Sequence, residues 1–312
     1  MFLPSRKIPF FSIRRRESVR QGGNVEAYAL REQVIEQIKK TFHLPPVTGK
    51  VLSLLSRPDV DFAELKRVVE HEPSLTSNVL RLANSVYARR AGEIATVHDA
   101  LLRLGTNVVY QMALAASFNP LMKKTARSYD MPPDVLWKHS VAVAVTAEEI
   151  SSRTGVEEPL HTFTAGLLHD VGKIVLGSCL EIDPQPILGV ALRERVSIDI
   201  AEQMVLGIDH AEGGAILLES WNLPSSVVEA VRWHHQPDSP SVKNQVLVDL
   251  IHVANALCYV CSIGVVGLKL KLCPSCDSVR RTRLTTDIAL RASESAKERV
   301  DSLLPIFTGK RE

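Results

Sequence analysis

Several things are scarce in this chain. Cysteines number five in 312 residues, which does not resemble the disulfide framework of a secreted domain. Aromatic residues are only 5% of the total, yet apolar residues reach 45%, enough for a real core in one large domain or two modest ones. No stretch alternates apolar and polar residues between hairpin turns, which argues against a sheet, and no repeat of fixed period is present. The opening "MFLPSRKIPFFSIRRR" lacks the apolar run and small-residue cleavage site of a secretory leader. Residues 246–267, "VLVDLIHVANALCYVCSIGVVG", approach membrane length, but Asp249, His252 and Asn255 interrupt them. A buried helix is expected there, with no transmembrane segment, and a cytoplasmic location for the protein.

Charge is nearly balanced at +2 but unevenly spread. The first twenty residues carry Arg6, Lys7, Arg14, Arg15, Arg16 and Arg20 against Glu17 alone. Such an arm could touch acidic lipid or nucleic acid; a solvated, disordered tail over residues 1–26 is the simpler reading. Apart from this arm and "RRTR" at 280–283 there is no nucleic-acid motif, and the body is mildly acidic, so a nucleic-acid partner is not expected.

What the chain has in quantity is helical patterning punctuated by Gly and Pro. "VEAYALREQVIEQIKKTF" stops at "HLPPV"; "DVDFAELKRVVEHEP" opens on an Asp cap and closes before Pro73. Leu75, Val79, Leu82, Ala83 and Val86 fall on one helical face, Thr96 begins the next helix, and Gly105 breaks it. Pro132 and Pro133 mark a subdomain boundary near residue 130, after which further helical segments follow, including "LHTFTAGLLHDVGKIVLGSCL" as one unit. The fold class is all-α. The expected organisation is a helical N-terminal subdomain over 27–129, a second bundle over 130–268, and a charged C-terminal extension over 269–312 containing a helix that packs loosely or caps the bundle.

Chemistry concentrates in histidine. His43, His71, His98 and His161 read as surface or hydrogen-bonded residues; six others have a different context. His139 lies in an apolar helix, where an unpaired ionisable group is costly to bury. His169 and Asp170 end the apolar run "TAGLL", and Lys173 follows at i+4 and i+3 from them. His210 precedes a Gly-containing helix, and His234 and His235 follow Trp233 near the end of an amphipathic one. Asp249, His252 and Asn255, spaced by three, make a polar stripe that needs partners: a metal, a water cluster or the other histidines. Imidazole and carboxylate suit Fe, Mn or Zn. Such an ion could clamp a phosphate and lower the pKa of a bound water, with Lys173 offsetting phosphoryl charge. A buried polar network without metal satisfies the same pattern.

These residues resemble the HDOD family, the HD-related output domain of bacterial signalling proteins. The resemblance spans about residues 35–260 and rests on "LPPVTGKVLSLLSRPDVDFAELKRVVEHEPSLTSNVLRLANSVYARR", "ALLRLG", "LWKHSVAVA", "FTAGLLHDVGKIVL", "GIDHAEGGAILLESWNLP" and "AVRWHHQP". It implies an HD-like helical bundle beneath a helical N-terminal subdomain. In the wider HD phosphohydrolase pattern, His139 matches the first histidine, and His169 with Asp170 the HD pair. Lys173 matches the following lysine, and His210, His234 and His235 the later histidines of the HD-GYP branch. His252 falls where that branch has its last metal-binding aspartate, and "DSPSVKN" stands where a Gly-Tyr-Pro motif would follow "WHHQP". Cyclic di-GMP hydrolysis is therefore not implied.

The resemblance implies a regulatory output module, acting through a signalling protein partner or a small ligand and holding a divalent metal or none. Input is expected from a separate partner or ligand, since no receiver or sensor pattern occurs in these residues. The alternative is a metal-dependent phosphohydrolase acting on a nucleotide or phosphoester. Its ligands would be His139, His169, Asp170, His210, His234, His235 and His252, with Asp170 and Lys173 as catalytic groups. A separate candidate is a structural zinc on Cys258, Cys261, Cys273 and Cys276, two C-x-x-C pairs; Cys179 reads as core.

Overall fold

Punctuation residues set the elements. In the computed structural model, residues 23–56, 61–87, 93–123, 135–157, 159–179, 185–263 and 273–308 are described; the basic arm, Pro132 and Pro133 lie outside them. Helix α1 (Gly23–Thr41) is followed by α2 (Pro46–Leu52), which starts on a proline whose missing N–H costs nothing in a first turn. Asp61 caps α3 (Phe62–Glu70) by accepting from the Glu64 amide at 2.8 Å. Helix α4 (Pro73–Tyr87) buries Leu75, Val79 and Ala83 on the expected face; the side chains of Leu82 and Val86 lie outside the described set. Thr96 caps α5 (Val97–Leu104), and Gly105 ends it with a positive φ of 83° before α6 (Thr106–Lys123).

The second half contains α7 (Val135–Thr154), α8 (Thr162–Leu168), α9 (Val171–Cys179), α10 (Gln185–Glu194) and α11 (Ile198–Leu206). It continues with α12 (His210–Ser220), α13 (Ser225–Trp233), α14 (Gln245–Val260), α15 (Cys276–Arg281) and α16 (Thr286–Thr308). No strand occurs among the described residues, and the fold is all-α. The segment expected as one helix through "GLLHDVGK" is two: α8 stops at Leu168 and α9 starts at Val171. His169 and Asp170 occupy the break, so their directions follow from a change of helix axis rather than from helical phase.

Helices α2 to α5 gather around α6, which passes to α7, α8 and α9. In the second half α7 packs on α8 and α14, and α12 lies between α9 and α13. The two chain ends join this half. Helix α1 packs on α9, α11 and α12, burying Val34 and Ile38. Of the two expectations for the C-terminal helix, loose packing or capping of the bundle, α16 departs from the first: it runs against both α7 and α4, buries Ala292, Ala296 and Val300, and pairs Arg299 with Glu148 and Glu149 at 3.0 Å each. No helix among the described residues is long and apolar enough to cross a membrane.

Candidate metal centre

Two glycines bring the site together. A Cβ on Gly172 would overlap the carbonyl oxygen of His210, so α9 and α12 meet backbone to backbone. A Cβ on Gly166 would overlap the Ala144 backbone, which lets α8 lie directly on α7. These close approaches place the α8–α9 break beside His139 of α7, beside His210 at the start of α12, and beside His234 at the end of α13.

Asp170 is the hub. Its Oδ2 accepts from Lys173 Nζ at 2.6 Å and lies 3.4 Å from His169 Nε2 and 3.7 Å from His139 Nε2. Its Oδ1 faces the other way, 3.2 Å from His210 Nε2 and 4.0 Å from His234 Nε2. Two donor groups result: His139 with His169 and Asp170, and His210 with His234 and His235, each with its donor atoms within 4.8 Å of one another. Six of the sequence-predicted ligands are thus brought together, and Lys173 with them.

Tautomers follow from the hydrogen bonds. His169 Nδ1–H donates to the Gly166 carbonyl at 2.8 Å, and His234 Nδ1–H to the Val231 carbonyl at 2.7 Å. Each therefore keeps its lone pair on Nε2, and both Nε2 atoms are buried without a hydrogen-bond partner, as is Asp170 Oδ1. Buried polar atoms are normally paired; here the orphans point at a common interior, which is what a metal ligand looks like before its ion. His139 stands at the edge, with Nε2 3.0 Å from Asn255 Oδ1 and its ring 5.0 Å from that of Tyr259.

Electrostatics favours donors over cations at four of the histidines. Burial, aided by His169, pushes His139 down to about 3. Burial also lowers His169, His234 and His235, the last two with help from neighbouring imidazoles. Burial opposes ionisation of Asp170, but His169, Lys173 and His210 outweigh it and hold the carboxyl well below its usual range. His210 differs: against the effect of burial, Glu202 and Asp170 raise it to about 10.

His252 takes another role. Its Nδ1–H donates to the His234 carbonyl at 2.6 Å and its Nε2 accepts from the Ser275 amide at 2.9 Å, so both nitrogens are engaged and it belongs to neither donor group. The polar stripe of α14 divides accordingly. Asp249 accepts from Arg281 at 2.6 Å and Ser278 at 2.6 Å, His252 ties the "WHH" turn to α15, and only Asn255 reaches a candidate ligand. Sequence reading missed Glu202, buried on α11, whose Oε2 accepts from both the backbone N–H (2.8 Å) and the Nδ1–H (2.6 Å) of His210. The available signal was an acid seven residues upstream of "DH", across a glycine cap at Gly207.

The cysteines do not assemble. Cys258 is buried with its Sγ 3.4 Å from Thr146 Oγ1, and burial pushes its thiol up to about 12, the reverse of what a thiolate ligand needs. Cys261 caps the end of α14, while Cys273 and Cys276 are exposed; all four are free, and among the described residues no metal-type group includes them. Cys179's side chain lies outside the described set. Within "RRTR", Arg280 pairs with Asp277 and Arg281 with Asp238 and Asp249, and Arg283 is exposed.

An all-helical domain with histidines and one aspartate converging on its interior is an HD-type architecture. Residues 42–237 match the HDOD domain model, and the chain belongs to that family. Among solved structures it is similar to an HDOD domain protein with unknown function from Geobacter sulfurreducens (24% identity, TM-score 0.73, 91% of this chain and 98% of that one). It is also similar to a "Putative signal transduction protein" from Marinobacter aquaeolei VT8 (22%, 0.71, 91% and 66%). A third similar structure is a "Putative phosphohydrolase" from Shewanella amazonensis SB2B (21%, 0.66, 87% and 98%). Its curated relative, an uncharacterized protein of Treponema pallidum (strain Nichols), is 20% identical over 227 residues, and the chain spans 44% of that protein's length.

Proposed function

We propose that this protein is a signal-transduction output module of the HDOD type, acting through a protein or ligand partner, with a divalent Fe, Mn or Zn held inside its second bundle. His169, Asp170, His210, His234 and His235 would hold the ion, with His139 at the edge. Neutral imidazoles and an ionised carboxylate are the donors these metals take; His210, raised to about 10 by Glu202 and Asp170, would give up its Nε2 proton to the ion. The observation that carries the regulatory reading is burial. His169 and His234 are 0% exposed and Asp170 and His210 1%, and Lys173 already occupies Asp170 Oδ2. A hydrolase needs room for a phosphoester and a water beside the metal; of the donor side chains here, only His235 is partly exposed. A metal here would tie α7, the α8–α9 break, α12 and the end of α13 together, and the state of that tie would be what a partner reads.

The second reading is a metal-dependent phosphohydrolase. It is favoured by the donor set and by Lys173, whose ammonium is close enough to the cluster to offset phosphoryl charge. One experiment separates the two: metal content of the purified chain and of His169→Ala and Asp170→Ala, with turnover of a generic phosphodiester. Near-stoichiometric metal lost in both variants, without turnover, supports the output module. Metal-dependent turnover that both variants abolish overturns it in favour of the hydrolase. Absence of metal from the wild-type chain overturns the metal in either reading.

A further inference from the structure

We infer that Glu202 is a positioning residue of the metal centre, setting His210 as an Nε2 ligand; the inference rests on the metal reading above and extends it to a residue outside both donor groups. The argument starts from where each imidazole sits on its helix. His169 and His234 are C-terminal cap residues of α8 and α13. Each therefore finds a carbonyl three residues back in its own helix, Gly166 or Val231, to receive its Nδ1–H. His210 is the first residue of α12, so no preceding helical turn offers it a carbonyl. The missing acceptor comes from another helix. Glu202 of α11 reaches across the Gly207–Asp209 turn and takes both the His210 amide and its Nδ1–H on one oxygen, at 2.8 and 2.6 Å. That clamp fixes the ring and directs Nε2 to Asp170 Oδ1 at 3.2 Å and to His235 Nε2 at 2.9 Å.

A merely structural clamp could use a neutral acceptor, as His169 and His234 do. Glu202 is instead an acid with 0% exposure, held by the His210 amide and Nδ1–H, which offset part of the cost of burying it. A carboxylate behind an imidazole orients it and strengthens its donor nitrogen, an effect a carbonyl gives more weakly. The two donor groups are therefore unequal. The group of His210, His234 and His235 has carboxylates on both sides, Glu202 behind it and Asp170 in front, and is the one that should fill first.

The test uses Co2+ as probe, read by its ligand-field absorption and by competition with a chelator, on the full chain and on Glu202→Gln, Glu202→Asp and His210→Ala. Expected is a 10- to 100-fold weaker Co2+ affinity in Glu202→Gln, a partial recovery in Glu202→Asp, and a changed Co2+ spectrum in both. In the metal-free proteins, the imidazole 15N signals of His210 should shift while those of His169 and His234 stay, which separates a positioning role from general loosening. Affinity within twofold of wild type in Glu202→Gln overturns the inference alone. No Co2+ uptake by the wild-type chain removes the metal reading, and this inference with it. Equal shifts at all three histidines make Glu202 a packing residue and also overturn it.

Discussion

The two halves of the molecule bury different things. Among the described residues before α7, the buried side chains are apolar apart from Thr48, Asn119 and the Tyr110 hydroxyl, the last two with an unpaired polar atom, and no charged or histidine side chain is buried. From α7 onward the interior holds His139, His169, Asp170, Lys173, Glu202, His210, His234 and Asp249. Both halves are all-helical and share α16 as a common wall. The first is what apolar helix faces and caps produce unaided. The second carries ionised groups whose desolvation is unfavourable, and its hydrogen bonds satisfy them incompletely, leaving inward-facing atoms on His169, Asp170 and His234. The contrast teaches that the second interior carries the polar groups the proposed metal reading needs, and that stability and ligand binding should respond separately to mutations in the two halves.

The largest expected effect is Gly172→Ala. The added methyl overlaps the His210 carbonyl and crowds the Gly214 amide, so α9 and α12 must separate and carry Asp170 away from His210. A loss above about 4 kcal/mol is expected, with metal uptake abolished; soluble protein with wild-type metal content would refute the close-contact account. Next is Leu65→Ala in α3, fully buried in the first half. It should lower unfolding free energy by about 2–5 kcal/mol in denaturant titration while leaving metal content unchanged. If metal content falls in proportion, the halves are energetically one unit.

Legibility followed the same division. The first half was readable because its signals are local: the Asp61 and Thr96 caps, the Gly105 stop, and the apolar spacing of Leu75, Val79 and Ala83 all act within one helix. That His139, His169, Asp170, His210, His234 and His235 gather was readable by residue type and by family resemblance, since buried histidines advertise themselves in apolar runs. Three features were not. The break at His169–Asp170 lies in a run with no Pro and with Gly residues only beside it, and is set by packing against α7 and α12. His252 looked like a ligand from its place in the family pattern and from the stripe of Asp249 and Asn255 three residues either side, but which donor it meets depends on where α15 lands. Glu202 was hidden because an acid on an amphipathic helix reads as solvent-facing, whereas it lies on the buried face of α11 and the turn through Gly207 brings His210 back to it.

Acid should separate the halves by a smaller amount. In chelator-treated protein, His139, His169, His234 and His235 have folded values below the ordinary 6.5. Their contribution to stability is complete above about 6.5 and falls as pH drops toward the folded values, about 3 for His139. Each such group adds a slope of about 1.4 kcal/mol per pH unit. His210 acts in the opposite sense: raised to about 10, it contributes fully below about 6.5 and loses that contribution as pH climbs through about 10. Urea unfolding at stepped pH should show stability falling on both flanks, and Leu65→Ala should move the curve down without altering its slopes. Unchanged stability from pH 7 to 4 would show that these imidazoles are not buried neutral.

The smallest effect belongs to Thr96→Ala. Thr96 accepts from the Asp99 amide at 3.0 Å and starts α5, which touches the centre nowhere and packs on α3, α4 and α6. Losing one cap costs about 1 kcal/mol, and metal content and the pH slopes should be unchanged. The informative outcome is the contrary one. If so slight a change at the far end of the first half alters Co2+ affinity, the route must run from α5 into α6 and on to its contacts with α8 and α9, the helices that flank His169 and Asp170. A partner bound to the first half would then have a physical path to the buried centre, and the separation between the halves would be a difference in composition with no independence in energy.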